Sequence, residues 1–210
     1  MRTYVYIDGF NLYRGALKDS VYRWLDLKVL LQKTLPKESK LLKINYYTAR
    51  VMNTPDNPSI TNRQDIYLRA LKVYIPEIDI HEGKFKRKKK HVPLVHPTDT
   101  EEKAYVRLYE EKRTDVNIAT HILNDAWKDR YDIAYLLSTD SDLYEAIRLV
   151  TYERKKQIGL IIPTRRGIPK ELSPFAQHIR HITTTALAQS QLPAQIPGTR
   201  IHKPNEWHDE

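Results

Sequence analysis

Apolar and polar positions alternate along this chain in two rhythms. Apolar runs with no helical spacing stand at residues 3–8, 41–51, 78–80, 133–137 and 158–162, each bounded by turn-forming or charged residues. Runs of this length and bounding read as buried strands. Between them the apolar positions fall three or four apart. The stretch 61–74 places Ile66, Leu68, Leu71 and Val73 among Arg63, Gln64, Arg69 and Lys72. A segment entered near Thr114 or Asp115 carries Val116, Ile118, Ala119, Ile122 and Leu123 on its apolar side. These spacings predict helices, as do the short stretch from Asn11 toward Leu17 and the segment from Ser141 to about Glu153. One more helix begins at Asp26, a good N-cap, and stops before Pro36. Strands alternating with helices predict an α/β fold: a mostly parallel central sheet with helices on both faces.

Two stretches depart from this alternation. The third strand runs into the basic tract Lys84-Phe85-Lys86-Arg87-Lys88-Lys89-Lys90, followed by two prolines without a period, then an alternating stretch at 104–109. This predicts a hairpin-like excursion over about 83–109. Arg165, Arg166 and Lys170 surround a later loop, and residues 178–182 read as a last edge strand. From Thr184 onward the chain is rich in Ala, Gln and Pro and has no strong period. The expected organisation is one domain over 1–183 and a C-terminal tail over 184–210. That tail is a linker or an arm packed on the domain, with Trp207 as an anchor.

Composition narrows the function. The net charge of +9 favours a polyanionic partner. Cysteine is absent, which excludes disulfides and thiolate metal sites and fits a cytoplasmic location. No apolar run approaches the ~18 residues of a membrane span, and the N-terminus enters a strand pattern at once, so neither a membrane partner nor a signal peptide is expected. Only six glycines are present, without a G-x-G-x-x-G loop or a G-x-S-x-G elbow, and the eight histidines lack H-E-x-x-H spacing.

What remains is a set of aspartates. Asp8 ends the first strand, Asp140 and Asp142 follow the run at 133–137, and Asp115 opens a helix. Ligands of open α/β sheets gather at the carboxyl ends of the strands. Mg²⁺ and Mn²⁺ take oxygen ligands, and clustered carboxylates repel one another unless a cation neutralises them. Each aspartate alone also reads as an ordinary turn or cap residue. Together on one sheet edge, in a basic protein, they point to a metal site for phosphate chemistry.

With those residues in place, the chain resembles the NYN family, a branch of the PIN-like nucleases. The resemblance rests on Val5-Tyr6-Ile7-Asp8-Gly9-Phe10-Asn11-Leu12, Arg63-Gln64-Asp65-Ile66-Tyr67-Leu68, Glu111-Lys112-Arg113-Thr114-Asp115-Val116-Asn117 and Leu137-Ser138-Thr139-Asp140-Ser141-Asp142-Leu143. It implies a Rossmann-like PIN fold and Mg²⁺- or Mn²⁺-dependent hydrolysis of RNA. Asp8, Asp115, Asp140 and Asp142 are then the catalytic, metal-holding residues. Asn11 and Ser138, with Thr139 beside them, would orient water or the scissile phosphate. His121 stands where many relatives place another acidic residue. Arg63 and the cations Lys84, Lys86, Arg87, Lys88, Lys89 and Lys90 are the expected RNA contacts, with single-stranded or loop RNA as partner. The expected activity is a metal-dependent endoribonuclease. The alternatives are a non-catalytic RNA-binding or protein-interaction module on the same fold, and a DNA nuclease or phosphatase on a related scaffold.

Overall fold

The computed structural model describes residues 1–97, 102–163 and 166–207, so Arg165 lies outside the described residues. The chain begins with β1 (Arg2–Asp8), then α1 (Gly9–Leu12), which continues as a π-helical turn over Tyr13–Leu17. Next come α2 (Leu27–Thr34), β2 (Lys40–Thr48), α3 (Ile60–Tyr74) and β3 (Ile78–Glu82). The basic excursion is β4 (Lys84–Pro93) and β5 (Lys103–Lys112). The second half holds α4 (Thr114–Trp127), β6 (Ile133–Leu137), a 3₁₀ turn (Ser141–Leu143) leading into α5 (Tyr144–Tyr152), β7 (Gln157–Ile162), β8 (Ala176–His181) and α6 (Thr184–Ala188). As expected, Asp26 caps α2, accepting from the Val29 amide at 3.0 Å.

Six strands form one parallel sheet in the order β3-β2-β1-β6-β7-β8. The chain starts in the middle of the sheet, builds outward to β3, returns to β6 beside β1, and builds outward the other way. The strand order therefore reverses between β1 and β6, and in such sheets the crevice at the carboxyl end of that pair is where ligands bind.

Alternate side chains of a strand point to opposite faces, and both faces here are covered. Val5, Ile7, Ile44, Ile133, Tyr135 and Leu137 pack with α2 and α3. Tyr6, Tyr47, Ala134, Leu136, Ile158 and Leu160 pack with α4 and α5. Double coverage explains why the strands read as unbroken apolar runs.

The segment after β8 belongs to the α2–α3 side. Leu187, Leu192 and Ile196 are buried in that core. The Trp24 indole donates to the Pro193 carbonyl at 2.8 Å, and Trp207 lies 6.1 Å from both Trp24 and Tyr67, ring centre to ring centre. The excursion is a separate two-stranded antiparallel arm, in register from Lys84 opposite Lys112 to Pro93 opposite Lys103. Its returning strand is longer than the sequence suggested, running on to Lys112. No helix among the described residues is long and apolar enough to cross a membrane.

A candidate carboxylate site at the switch point

Asp8 is the last residue of β1 and shares the face of Tyr6, so its side chain emerges on the α4 side, at the reversal of strand order. It is 4 % exposed. One carboxylate oxygen accepts from the amides of Phe10 at 2.9 Å and Asn11 at 3.0 Å, which caps α1. The other accepts from the Asn11 side-chain amide and, at 3.5 Å, from the Ser138 hydroxyl. The glycine that follows is required by space. A Cβ on Gly9 would stand 2.7 Å from both the Tyr46 hydroxyl and the Tyr47 carbonyl.

The β6 turn is laced to the β1 turn. Thr139 donates its hydroxyl to Asn11 Oδ1 at 2.8 Å, and Ser138 Oγ accepts from the Asp140 amide at 3.1 Å. Asp140 in turn accepts from the Asp142 amide at 2.9 Å, capping the 3₁₀ turn. Asp115 arrives from the first turn of α4, which the chain enters through Arg113 in a left-handed conformation (φ 84°). Asn11, Ser138 and Thr139 thus hold the two strand ends together, while the aspartates occupy their rim.

The electrostatics show the convergence. Burial raises the Asp8 carboxyl above the usual range, and the Asp140 charge pushes it further, against the opposing pull of its hydrogen bonds to Asn11 and Phe10. Burial likewise raises Asp115, followed by the charges of Asp140, Asp8 and Asp142. A fifth carboxylate joins them that the sequence reading did not assign to the site. Glu111, the last residue but one of β5, accepts a hydrogen bond from the Thr114 hydroxyl, and is pushed up to about 7 by burial, then by Asp8 and Asp115. The signal was its position one residue before the strand's end, four before Asp115. Seeing it needed the strand to run to Lys112.

The donors are hard oxygens, the type a divalent cation of the Mg²⁺ or Mn²⁺ class takes. As they stand, no three acidic or histidine side chains among the described residues are grouped to hold an ion.

Other expected site residues lie elsewhere. His121 turns its Nδ1 to the Tyr47 hydroxyl at 3.0 Å, and its ring lies 4.4 Å from that of His81. Among the described residues no hydrogen bond joins it to the carboxylates. Arg63 points to Asn57, Ser59 and Glu206, bonding inside the protein. It lines a cavity of about 440 Å³ on the other side of the Gly9–Phe10 backbone, walled by Tyr13, Tyr46, Tyr67 and Trp207. Lys84, Lys86, Arg87, Lys88, Lys89 and Lys90 all lie on β4, exposed.

The model of the NYN domain family matches residues 2–183. The chain belongs to the NYN domain family. That places it in the PIN-like nuclease superfamily. This NYN domain is also 29% identical, over 238 aligned residues covering 100% of its own length and 76% of the relative, to 6-hydroxy-3-succinoylpyridine 3-monooxygenase HspA of Pseudomonas putida (strain DSM 28022 / S16). A solved structure, that of VPA0982, a protein of unknown function from Vibrio parahaemolyticus RIMD 2210633, superposes with a TM-score of 0.54 at 14% identity, covering 91% of this chain and 96% of that one. The second likeness concerns the fold alone.

Proposed function

We propose that this NYN domain is a cytoplasmic, metal-dependent endoribonuclease acting on single-stranded or loop RNA. The observation that carries the reading is that Asp8, Asp115, Asp140 and Asp142 lie at the reversal of strand order, where burial first and then the charges of their neighbours raise Asp8 and Asp115. These four would hold Mg²⁺ or Mn²⁺. Such a cation, when bound, would supply charge neutralisation and activation of water.

The remaining roles fall to the chain's own groups. Asn11 and Ser138 fix the Asp8 carboxylate, and Thr139 fixes Asn11. Glu111, raised by burial first and then by Asp8 and Asp115, would stand beside them as a further oxygen donor or proton acceptor. The net charge of +9 and the exposed cations of β4 support RNA as the polyanion. The test is cleavage of a mixed-sequence RNA with Mn²⁺ or Mg²⁺. RNA that is bound but left whole under all metal conditions would favour a non-catalytic binding module instead.

A second reading has its own support. The relative aligned along the whole chain is named for an enzyme of a hydroxypyridine, and the cavity beside Gly9 is walled by aromatic rings. On that reading the cavity holds a small planar substrate. Calorimetric titration with 6-hydroxy-3-succinoylpyridine tests it: saturable binding lost in Tyr67→Ala supports a small-molecule site, and no heat of binding removes it.

A further inference from the structure

The antiparallel register of the arm divides its basic tract in two. Directly opposed residues share a face, and neighbours along a strand take opposite faces. Lys84, Lys86, Lys88 and Lys90 therefore stand with Lys112, Glu110, Leu108 and Val106. Phe85, Arg87, Lys89 and His91 stand on the other side with Glu111, Tyr109, Arg107 and Tyr105.

The two faces have different chemistry. On the first, Glu110 is paired with Lys88 at 2.9 Å and Lys112 at 3.3 Å, and no aromatic ring is present over these ranks. On the second, rings and cations share the face. Phe85 is stacked between Phe10 and Tyr109, with ring centres 6.1 Å apart on each side and planes within 16° and 29°. Farther out, His91 lies 4.7 Å from Tyr105, which is 63 % exposed. The inner end of this face is Glu111, at the carboxylate cluster.

We propose that the face carrying Phe85, Arg87, Lys89, Arg107, Tyr109 and Tyr105 is a track that leads single-stranded RNA lengthwise into the carboxylate site, and that the lysine face is not. The proposal rests on the ribonuclease reading above, and names the substrate form that site would take. Successive ranks are two residues apart, about 6.7 Å, a repeat that an extended strand can follow with phosphates on the cations. Unpaired bases have free faces to lay on rings, which a duplex keeps stacked inside. A face with cations but no rings attracts any polyanion equally.

The test uses two full-length triple variants with the same change of charge. One is Arg87→Gln, Lys89→Gln, Arg107→Gln; the other is Lys86→Gln, Lys88→Gln, Lys90→Gln. Binding of a labelled 12-nucleotide RNA without secondary structure is read by fluorescence anisotropy in EDTA at several salt concentrations. Thermal melts confirm that each variant is folded. The first triple should weaken binding about tenfold or more and lower the salt slope by about 2, at about 0.7 per phosphate contact. The second should stay within about threefold of wild type. Tyr105→Ala should weaken single-strand binding several-fold and leave the salt slope unchanged. Equal losses in the two triples, a larger loss in the second, or equal affinity of the wild type for duplex RNA would overturn the track. Because binding is read without metal, it is separable from catalysis. A wild type that binds along this face yet never cuts with Mn²⁺ removes the nuclease and keeps the track. A first triple that cuts sub-saturating RNA as fast as wild type removes the track and keeps the nuclease.

Discussion

Replacing Glu111 by Gln removes one negative charge from the carboxylate cluster and keeps an oxygen to accept from Thr114. The Glu111 carboxyl moves from an ordinary 4.5 up to about 7 in the fold, first through burial and then through Asp8 and Asp115. The folded chain therefore binds this proton more tightly than the unfolded chain does. Its cost to stability is absent below about pH 4.5, grows as pH rises, and is complete above about pH 7. At about 1.4 kcal/mol per pH unit the full gap corresponds to about 3.4 kcal/mol. Glu111 is only half-buried, so solvent screening reduces this to roughly 1–2 kcal/mol. Urea unfolding of both proteins from pH 4.5 to 8 in chelator measures it. The variant should match wild type at the acid end and exceed it by roughly 1–2 kcal/mol at pH 8. Saturating Mn²⁺ should shrink that advantage, because a cation relieves the same repulsion. A difference that stays constant with pH, or a wild type more stable than the variant at pH 8, would refute the electrostatic reasoning.

Three more outcomes follow from the geometry. Asp8→Asn and Asp115→Asn should each abolish metal-dependent RNA cleavage. Asp115→Asn should leave the melting temperature in EDTA equal to or above wild type, since it loses a self-repelling charge. Asp8→Asn sets an amide N–H against donors that the carboxylate accepted and should lower it. A large fall for Asp115→Asn would mean that this carboxylate holds the fold. Gly9→Ala forces a methyl into the Tyr46 hydroxyl and the Tyr47 carbonyl and should cost roughly 1–3 kcal/mol in denaturant unfolding. An unchanged midpoint would show that the turn yields freely. Leu192→Ala, in the buried tail, should cost about 2–5 kcal/mol by the same measurement, whereas a loss under about 0.5 kcal/mol would mean that the tail's packing contributes little.

The parts legible in the sequence were those set by local rules. Doubly covered strands must be apolar throughout, so 3–8, 133–137 and 158–162 declared themselves, and the α/β alternation followed. Asp26 announced its helix because capping needs a short acceptor at that one position. The hairpin was visible because its prolines and basic run break both periods. What stayed hidden depends on contacts distant in sequence. Glu111 joins the site only through the register of β4 with β5 and the approach of β1. The division of the lysines from Arg87 and Lys89 likewise lies in strand register, not in composition. The tail has no period because isolated residues, Leu187, Leu192, Ile196 and Trp207, anchor it one at a time. The partner of Arg63 was also out of sight, because Glu206, which accepts its hydrogen bond, comes 143 positions later. His121 filled a position where relatives carry an acid, and its ring instead joins Tyr47 and His81.

The central claim is that the carboxylates at the β1–β6 reversal hold a divalent cation and cut RNA with it. The most direct measurement is cleavage of a mixed-sequence, single-stranded RNA by the full chain with Mn²⁺ or Mg²⁺, beside an EDTA control and the Asp140→Asn protein. Internal cuts that need the metal and vanish in the variant, with its fold intact, are the predicted result. Cutting that Asp140→Asn retains in full, or RNA that stays whole with every metal, would contradict it.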